Sequence, residues 1–148
     1  MKINDIYEFF LEPPPIDLNK ELAVCYILSV LLEADSYGTE LMGLLEKRYP
    51  IYRLSDTVLY SSLKFLQEEQ LITGYWQKLT GRGRPRRMYH IRSQWRQQAK
   101  DLARIWQDYV AIKSERILLL RQSYLECSSA APSKLPATRS TRDRSLLL

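Results

Sequence analysis

Arg82, Arg84, Arg86 and Arg87 fall within the stretch "RGRPRR", and Arg92 follows five positions later. A guanidinium carries a permanent positive charge behind a planar fork of N–H donors, a geometry that grips phosphate oxygens in pairs. Between Glu69 and Asp101 the chain holds eight Lys or Arg and no Asp or Glu. A charge run is commonly just a solvated face, so its setting must decide. Gly81, Gly83 and Pro85 punctuate the run as turn residues, and Arg84, preceding a proline, is kept extended. On either side, "LITGYWQKLT" (71–80) and "RRMYHIR" (86–92) are rich in Tyr, Ile, Thr and Trp with partial alternation, which predicts two strands. The run therefore studs the end of a β-hairpin, where it can meet phosphates or enter a narrow groove.

A second patch precedes it. "LSDTVLYSSLKFLQEEQ" predicts a helix with Ser55 as cap and Asp56 at the positive end of the dipole. Leu59, Leu63 and Leu66 must face other helices. Thr57, Tyr60, Ser61 and Lys64 make the opposite stripe: hydroxyls, a phenol and an ammonium, with no carboxylate. A face that meets phosphates and base edges has that composition. The expected DNA-contacting residues are thus Thr57, Tyr60, Ser61 and Lys64 on the helix, and Arg82, Arg84, Arg86 and Arg87 on the hairpin. For Tyr60 and Lys64 the bland alternative is a core-edge aromatic and a solvated cation. His90, the one histidine, reads as structural or phosphate-adjacent, because no Ser, Cys or Asp constellation makes it a catalyst. Trp76, Trp95 and Trp106 are expected to pack, with ligand stacking as the alternative.

These patches need a scaffold. "INDIYEFFLE" predicts a short amphipathic helix, stopped and stiffened by Pro13, Pro14 and Pro15. "DLNKELAVCYILSVLLEA" is apolar almost all round and belongs in a core, with Asp17 or Asn19 as cap. "DSYGTELMGLLEKRYP" follows as a helix, with Ser36 the expected cap and Pro50 the stop. Three helices and then a hairpin is the order of a winged helix-turn-helix, so the fold class is mainly α with a small β-hairpin. The last helix is predicted over about 94–126, spanning ~45 Å at about 1.5 Å per residue, longer than a small domain is wide. Trp95, Ala99, Leu102, Trp106, Tyr109, Ile117, Leu120 and Tyr124 recur along it at steps of three or four or their multiples. Part of that stripe overhangs and needs a partner, most simply the same helix of another copy. Leu102, Trp106, Tyr109, Ile117 and Leu120 are accordingly the expected dimerisation residues. The expected divisions are an arm and linker over 1–16, a winged-helix domain over 17–93, the dimerisation helix over 94–127, and a disordered basic tail over 128–148.

Composition narrows the classes. The net charge of +5 is modest, but residues 1–69 sum to −6 and residues 70–100 to +8, a local positive field suited to an anionic polymer. Of the two cysteines, Cys25 sits in an apolar run as a small buried hydrophobe, and neither has a neighbour at metal-ligand spacing. No metal and no cofactor are expected. No apolar run is long enough for a transmembrane helix, and the N-terminus does not read as a signal peptide, so a cytoplasmic, nucleoid-associated location is expected. With no nucleophile–base pair, metal spacing or phosphate loop, an enzyme is not expected.

Three stretches in order, "LAVCYILSVLLEADSYGTELMGLLEKRYP", "SDTVLYSSLKFLQEEQLITGYW" and "GRGRPRRMYHI", resemble the PadR family of winged-helix transcription regulators. The Tyr37-Gly38 pair, "TVLYSSLKFLQEEQLI" and "GRPRRMYHI" carry the likeness, over roughly residues 20 to 125. The resemblance implies a homodimer joined through the last helix, operator binding on double-stranded DNA, and usually repression. Carried over by position, its contacts would be Thr57, Tyr60, Ser61, Lys64, Arg82, Arg84 and Arg86. The "PPP" arm and the tail after Ser128 lie outside the family pattern. Many relatives answer to small phenolic or drug-like inducers, yet no acid or polar cluster for one is evident here. The alternatives are a sensor stacking an aromatic compound on Trp95 or Trp106, and a protein-interaction adaptor built on the long helix.

Overall fold

The structure, a computed structural model, describes residues 1–81 and 83–129, with the backbone alone at Tyr124 and at residues 127–129. Arg82, and the expected basic tail past Ser129, lie outside the described residues. The chain divides into two compact units, Pro14–Ala111 and a smaller one comprising Met1–Pro13 with Ile112–Leu148.

In the larger unit, α2 (Lys20–Leu31) is the central element. Asn19 Oδ1 accepts from the Leu22 N–H at 2.8 Å, closing the first turn, and Ala23 through Leu28, Val30 and Leu31 are all buried. The all-round apolar sequence is matched by all-round burial. Asp17, the other expected cap, instead lies in the two-residue strand β1 (Ile16–Asp17), which runs parallel to β3 (Tyr52–Arg53). Its carboxylate accepts from Arg53 Nε at 2.7 Å. Ser36 is likewise no cap. It opens β2 (Ser36–Tyr37), and α3 (Gly38–Arg48) starts from Tyr37 with no side-chain hydrogen bond at its N-terminus. The third helix, α4 (Asp56–Glu68), is capped by Ser55, whose hydroxyl accepts from the Val58 N–H at 3.3 Å.

The hairpin is β4 (Ile72–Gln77) and β5 (Arg86–Ile91), paired from Ile72 opposite Ile91 to Gln77 opposite Arg86. Both strands are shorter than the sequence patterns suggest, leaving 78–81 and 83–85 as the described residues of the loop, with Gly81 at φ +106°. β2 pairs with the other edge of β5, so the wing is a three-stranded antiparallel sheet of order β2-β5-β4.

A 3₁₀ turn (Ser93–Trp95) leads into α5 (Arg96–Ser129). Within the larger unit Ala99, Ala103 and Trp106 of α5 are buried. Trp106 meets Tyr26, Tyr49 and Tyr52 edge-on, with ring centroids 5.3–5.4 Å apart, and stacks on Tyr109 at 6.3 Å. Such ring pairs add about 0.5–1.5 kcal/mol each beyond the area they bury. The Tyr26 hydroxyl donates to the Leu41 carbonyl at 2.5 Å, fixing α2 to α3 beside this aromatic cluster. The smaller unit contains α1 (Ile3–Leu11), whose Asp5 carboxylate accepts from the Lys2 N–H at 2.6 Å.

Candidate nucleic-acid interface

Helix α4 keeps its two faces apart. Leu59, Leu63 and Leu66 are buried, and Ser62 joins them by donating its hydroxyl to the Val58 carbonyl at 2.6 Å. Thr57, Tyr60 and Lys64 are exposed and Ser61 is half-buried, so all four expected contacts lie off the core. A carboxylate does end the stripe, because Glu68 comes to 3.9 Å from Lys64 Nζ. Tyr60 does not stand clear of the domain. Its phenol lies across Gly38 at the start of α3, where an added Cβ would sit 2.8 Å from the hydroxyl oxygen. The Tyr37-Gly38 pair thus has a physical reason: only glycine leaves room for the ring of α4 to rest there.

On the wing, the described arginines fall into two kinds. Arg84 lies exposed in the loop. Arg86 and Arg87 belong to β5, at the base of the loop and not at its tip, and strand alternation sends them to opposite faces. Arg86 stacks on Tyr37 of β2, 4.3 Å from the ring centre. Arg87 lies flat over Gly74 of β4, where a Cβ would come within 2.5 Å of the guanidinium, and 5.4 Å from the Trp76 ring centre. Both half-buried arginines are therefore held before any partner arrives. Trp76 departs from the expectation that it packs: it is 66% exposed, on the same face of the hairpin as Arg87. Trp95 is also partly exposed, and only Trp106 is enclosed.

Asp35, which sequence reasoning missed, anchors the sheet. One carboxylate oxygen accepts from the Tyr75 hydroxyl of β4 at 2.6 Å, and the other lies 2.6 Å from Nδ1 of His90 on β5. Burial pushes this carboxyl up, but the hydrogen bonds from Tyr75 and His90 outweigh it and hold Asp35 below the usual carboxylate range. The same bond raises the Tyr75 phenol. No sequence signal pointed to Asp35, since its partners lie 40 and 55 positions away. His90 thus has a structural partner in Asp35.

The expected dimerisation residues separate. Trp106 is wholly buried in the core of its own chain, and Leu102 and Tyr109 pack half-buried against that core. The spacing marked an apolar stripe but could not say that its first turns were already covered. Ile117 is half-buried in the smaller unit, and Leu120 is 47% exposed. Ile112, Leu118, Leu119 and Leu125 of the same segment are exposed as well. Among the described residues no cluster of His, Cys, Asp and Glu could hold a metal ion, and no helix is long and apolar enough to cross a membrane.

The model of the transcriptional regulator PadR-like family matches residues 27–101, from α2 through the wing into α5. The chain belongs to that family. This PadR-like protein is a DNA-binding transcriptional regulator with a winged helix-turn-helix fold, and its family is one of regulators, not of enzymes. No curated protein matches it. Two solved structures resemble it closely. The circadian clock associated protein Pex from Anabaena is 60% identical, with a TM-score of 0.69 over 77% of this chain and 99% of that one. Pex from Synechococcus is 58% identical, with a TM-score of 0.70 over 74% and 98%. A transcriptional regulator from Clostridium thermocellum, 24% identical with a TM-score of 0.51 over 65% and 93%, shares the PadR-like fold.

Proposed function

We propose that the chain acts as a homodimer, reading duplex DNA with α4 and gripping its backbone with the wing, and represses transcription at a promoter of a circadian clock. One observation carries the DNA-reading part: Tyr60 of α4 and Arg86 and Arg87 of β5 line a common cleft, so helix and wing present one surface. The clock assignment is supported by the likeness to the two Pex proteins. The homodimer is supported by the exposed Leu118, Leu119, Leu120 and Leu125, an apolar run suited to the matching run of a second copy. The protein acts in the cytoplasm, at the nucleoid. Stacking of an inducer on Trp106 forms no part of this reading, because such a ligand would first have to displace the packing that buries it.

Genome-wide capture of bound DNA, followed by footprinting of the best site, tests the proposal. The expected result is two protected half-sites separated by about 10–10.5 base pairs or a multiple, upstream of a clock gene. The transcript of that gene should rise when the protein is removed. Equal affinity for the captured promoter and for random duplex would overturn sequence-specific reading. A monomer at the concentrations that occupy the site would overturn the dimer.

A further inference from the structure

Where β2 turns into α3, a cleft of 180 Å³ opens between Tyr37 of β2, Gly38 and Thr39 of α3, Tyr60 of α4, and Arg86, Arg87 and Tyr89 of β5. No carboxylate lines it. Arg86 and Arg87 do, and among the described residues neither is paired with an acid. Arg86 is braced by the Tyr37 ring, itself part of the lining, and Arg87 by Trp76 and the bare backbone of Gly74 outside it. Tyr89 is only 7% exposed, so a phenol backs the cleft from the protein side. Burial raises that phenol, while the charge of Arg87 and a hydrogen bond with it pull the other way.

Size and polarity restrict the occupant. The volume is below the roughly 300–1,000 Å³ of a pocket for a drug-sized molecule. It is several times the ~30 Å³ share of one water. Two arginines and no carboxylate make the lining suited to a tetrahedral oxyanion. The opening N–H groups of α3 have no partner within their helix and add further donors to the same rim. Resting on the DNA-binding reading for its macromolecular source, we infer that this cleft seats a single phosphoryl group. That group belongs either to one backbone position of a polynucleotide or to a free phosphorylated compound. Because α3, α4 and β5 all contribute, an occupied cleft fixes the recognition helix and the wing to the same phosphate.

The test uses the full chain. Amide and aromatic NMR spectra are followed while inorganic pyrophosphate is added. Saturable shifts at Gly38, Thr39 and Tyr60 are expected. Arg87→Gln should weaken them about tenfold or more, as the loss of a charge-assisted pair requires. Lys100→Gln, which removes one exposed charge elsewhere, should leave them unchanged. Gly38→Ala closes the cleft against the Tyr60 hydroxyl without changing charge and should act like Arg87→Gln. If that variant does not fold, Arg87→Lys, which keeps the charge and loses the fork, replaces it. A second arm scans the bound duplex with single methylphosphonates. One position per half-site that matters to the wild type but not to Arg87→Gln identifies the DNA backbone as the source. Saturable pyrophosphate binding without such a position identifies a free phosphoryl compound. Should DNA binding be absent while pyrophosphate still saturates, the regulatory reading fails and the cleft assignment stands. The cleft assignment is overturned if no saturable shift occurs and no backbone position depends on Arg87, even with DNA binding intact.

Discussion

The two ends of α5 both carry apolar residues at helical spacing and are opposite in surroundings. Ala99, Ala103 and Trp106 are buried, the last beneath a ring of tyrosines, whereas Ile112, Leu118, Leu119 and Leu120 are exposed. Apolar spacing marks a stripe that seeks burial, and it cannot say whether the cover comes from the same chain. In the first half the cover is present within the larger unit. In the second the proposal assigns it to another copy. If a second copy does cover it, one helix joins a folding problem to an association problem, and variants should separate them.

The largest effect is expected from Trp106→Ala, which leaves a cavity among Tyr26, Tyr49 and Tyr52 and should cost about 3–5 kcal/mol of stability. Denaturant unfolding checks it, and the loss should be the same at every protein concentration. A loss that vanished on concentrating the protein would break the contrast, since Trp106 would then serve the interface. Leu120→Asp is the counterpart. It should weaken self-association about 30-fold or more if the residue lies at the centre of the contact, while dilute protein melts as before. Sedimentation at several concentrations measures the first part. If that variant lowers the melting point of dilute protein, the exposed end is instead part of the fold.

Helix α4 repeats the contrast across its width. Leu63→Ala on the buried side should cost about 2–5 kcal/mol of stability and leave the affinity per folded molecule unchanged. Tyr60→Ala on the exposed side should lower discrimination between the bound site and random duplex by about 1–3 kcal/mol if it reads a base edge, as competition binding would show. Equal weakening on both duplexes would assign Tyr60 to the backbone alone. Smaller still, Arg84→Ala should flatten the slope of log K against log salt by about 0.9 per bound subunit if the loop arginine touches a phosphate.

A separate effect comes with alkali. Burial raises the phenol of Tyr52 to about 12 and that of Tyr26 too. In the unfolded chain both ionise near about 10, so the fold holds their protons longer. Stability should therefore be intact below about pH 10 and fall as pH rises through 10 toward 12. Thermal melts across that range check the sign.

Much of this architecture was legible before any coordinates. The apolar surround of α2, the Ser55 cap, the alternating faces of α4 and the hairpin all follow from periodicities long enough to count. What escaped was short or remote. β1, β2 and β3 have two residues each, too few to show a period, so Asp17 and Ser36 read as caps when both lie in strands. The Asp35 contacts join segments with no local pattern in common. Arg86 and Arg87 looked like free charges at a tip because sequence does not show that Tyr37 and Gly74 shape places for them. The position of Gly38 was noticed as a motif, but its reason needed the ring of Tyr60.

The unequal exposure of the tryptophans has a practical consequence. Trp106 is dry and Trp76 is two-thirds wet, so their fluorescence should differ in colour, the first emitting to the blue of the second. With Trp95, which is partly exposed, replaced by Phe, the red side of the emission would report what touches the wing beside Arg87, and the blue side whether the tyrosine cluster is intact. A single unlabelled sample carries separate optical gauges for engagement and for unfolding.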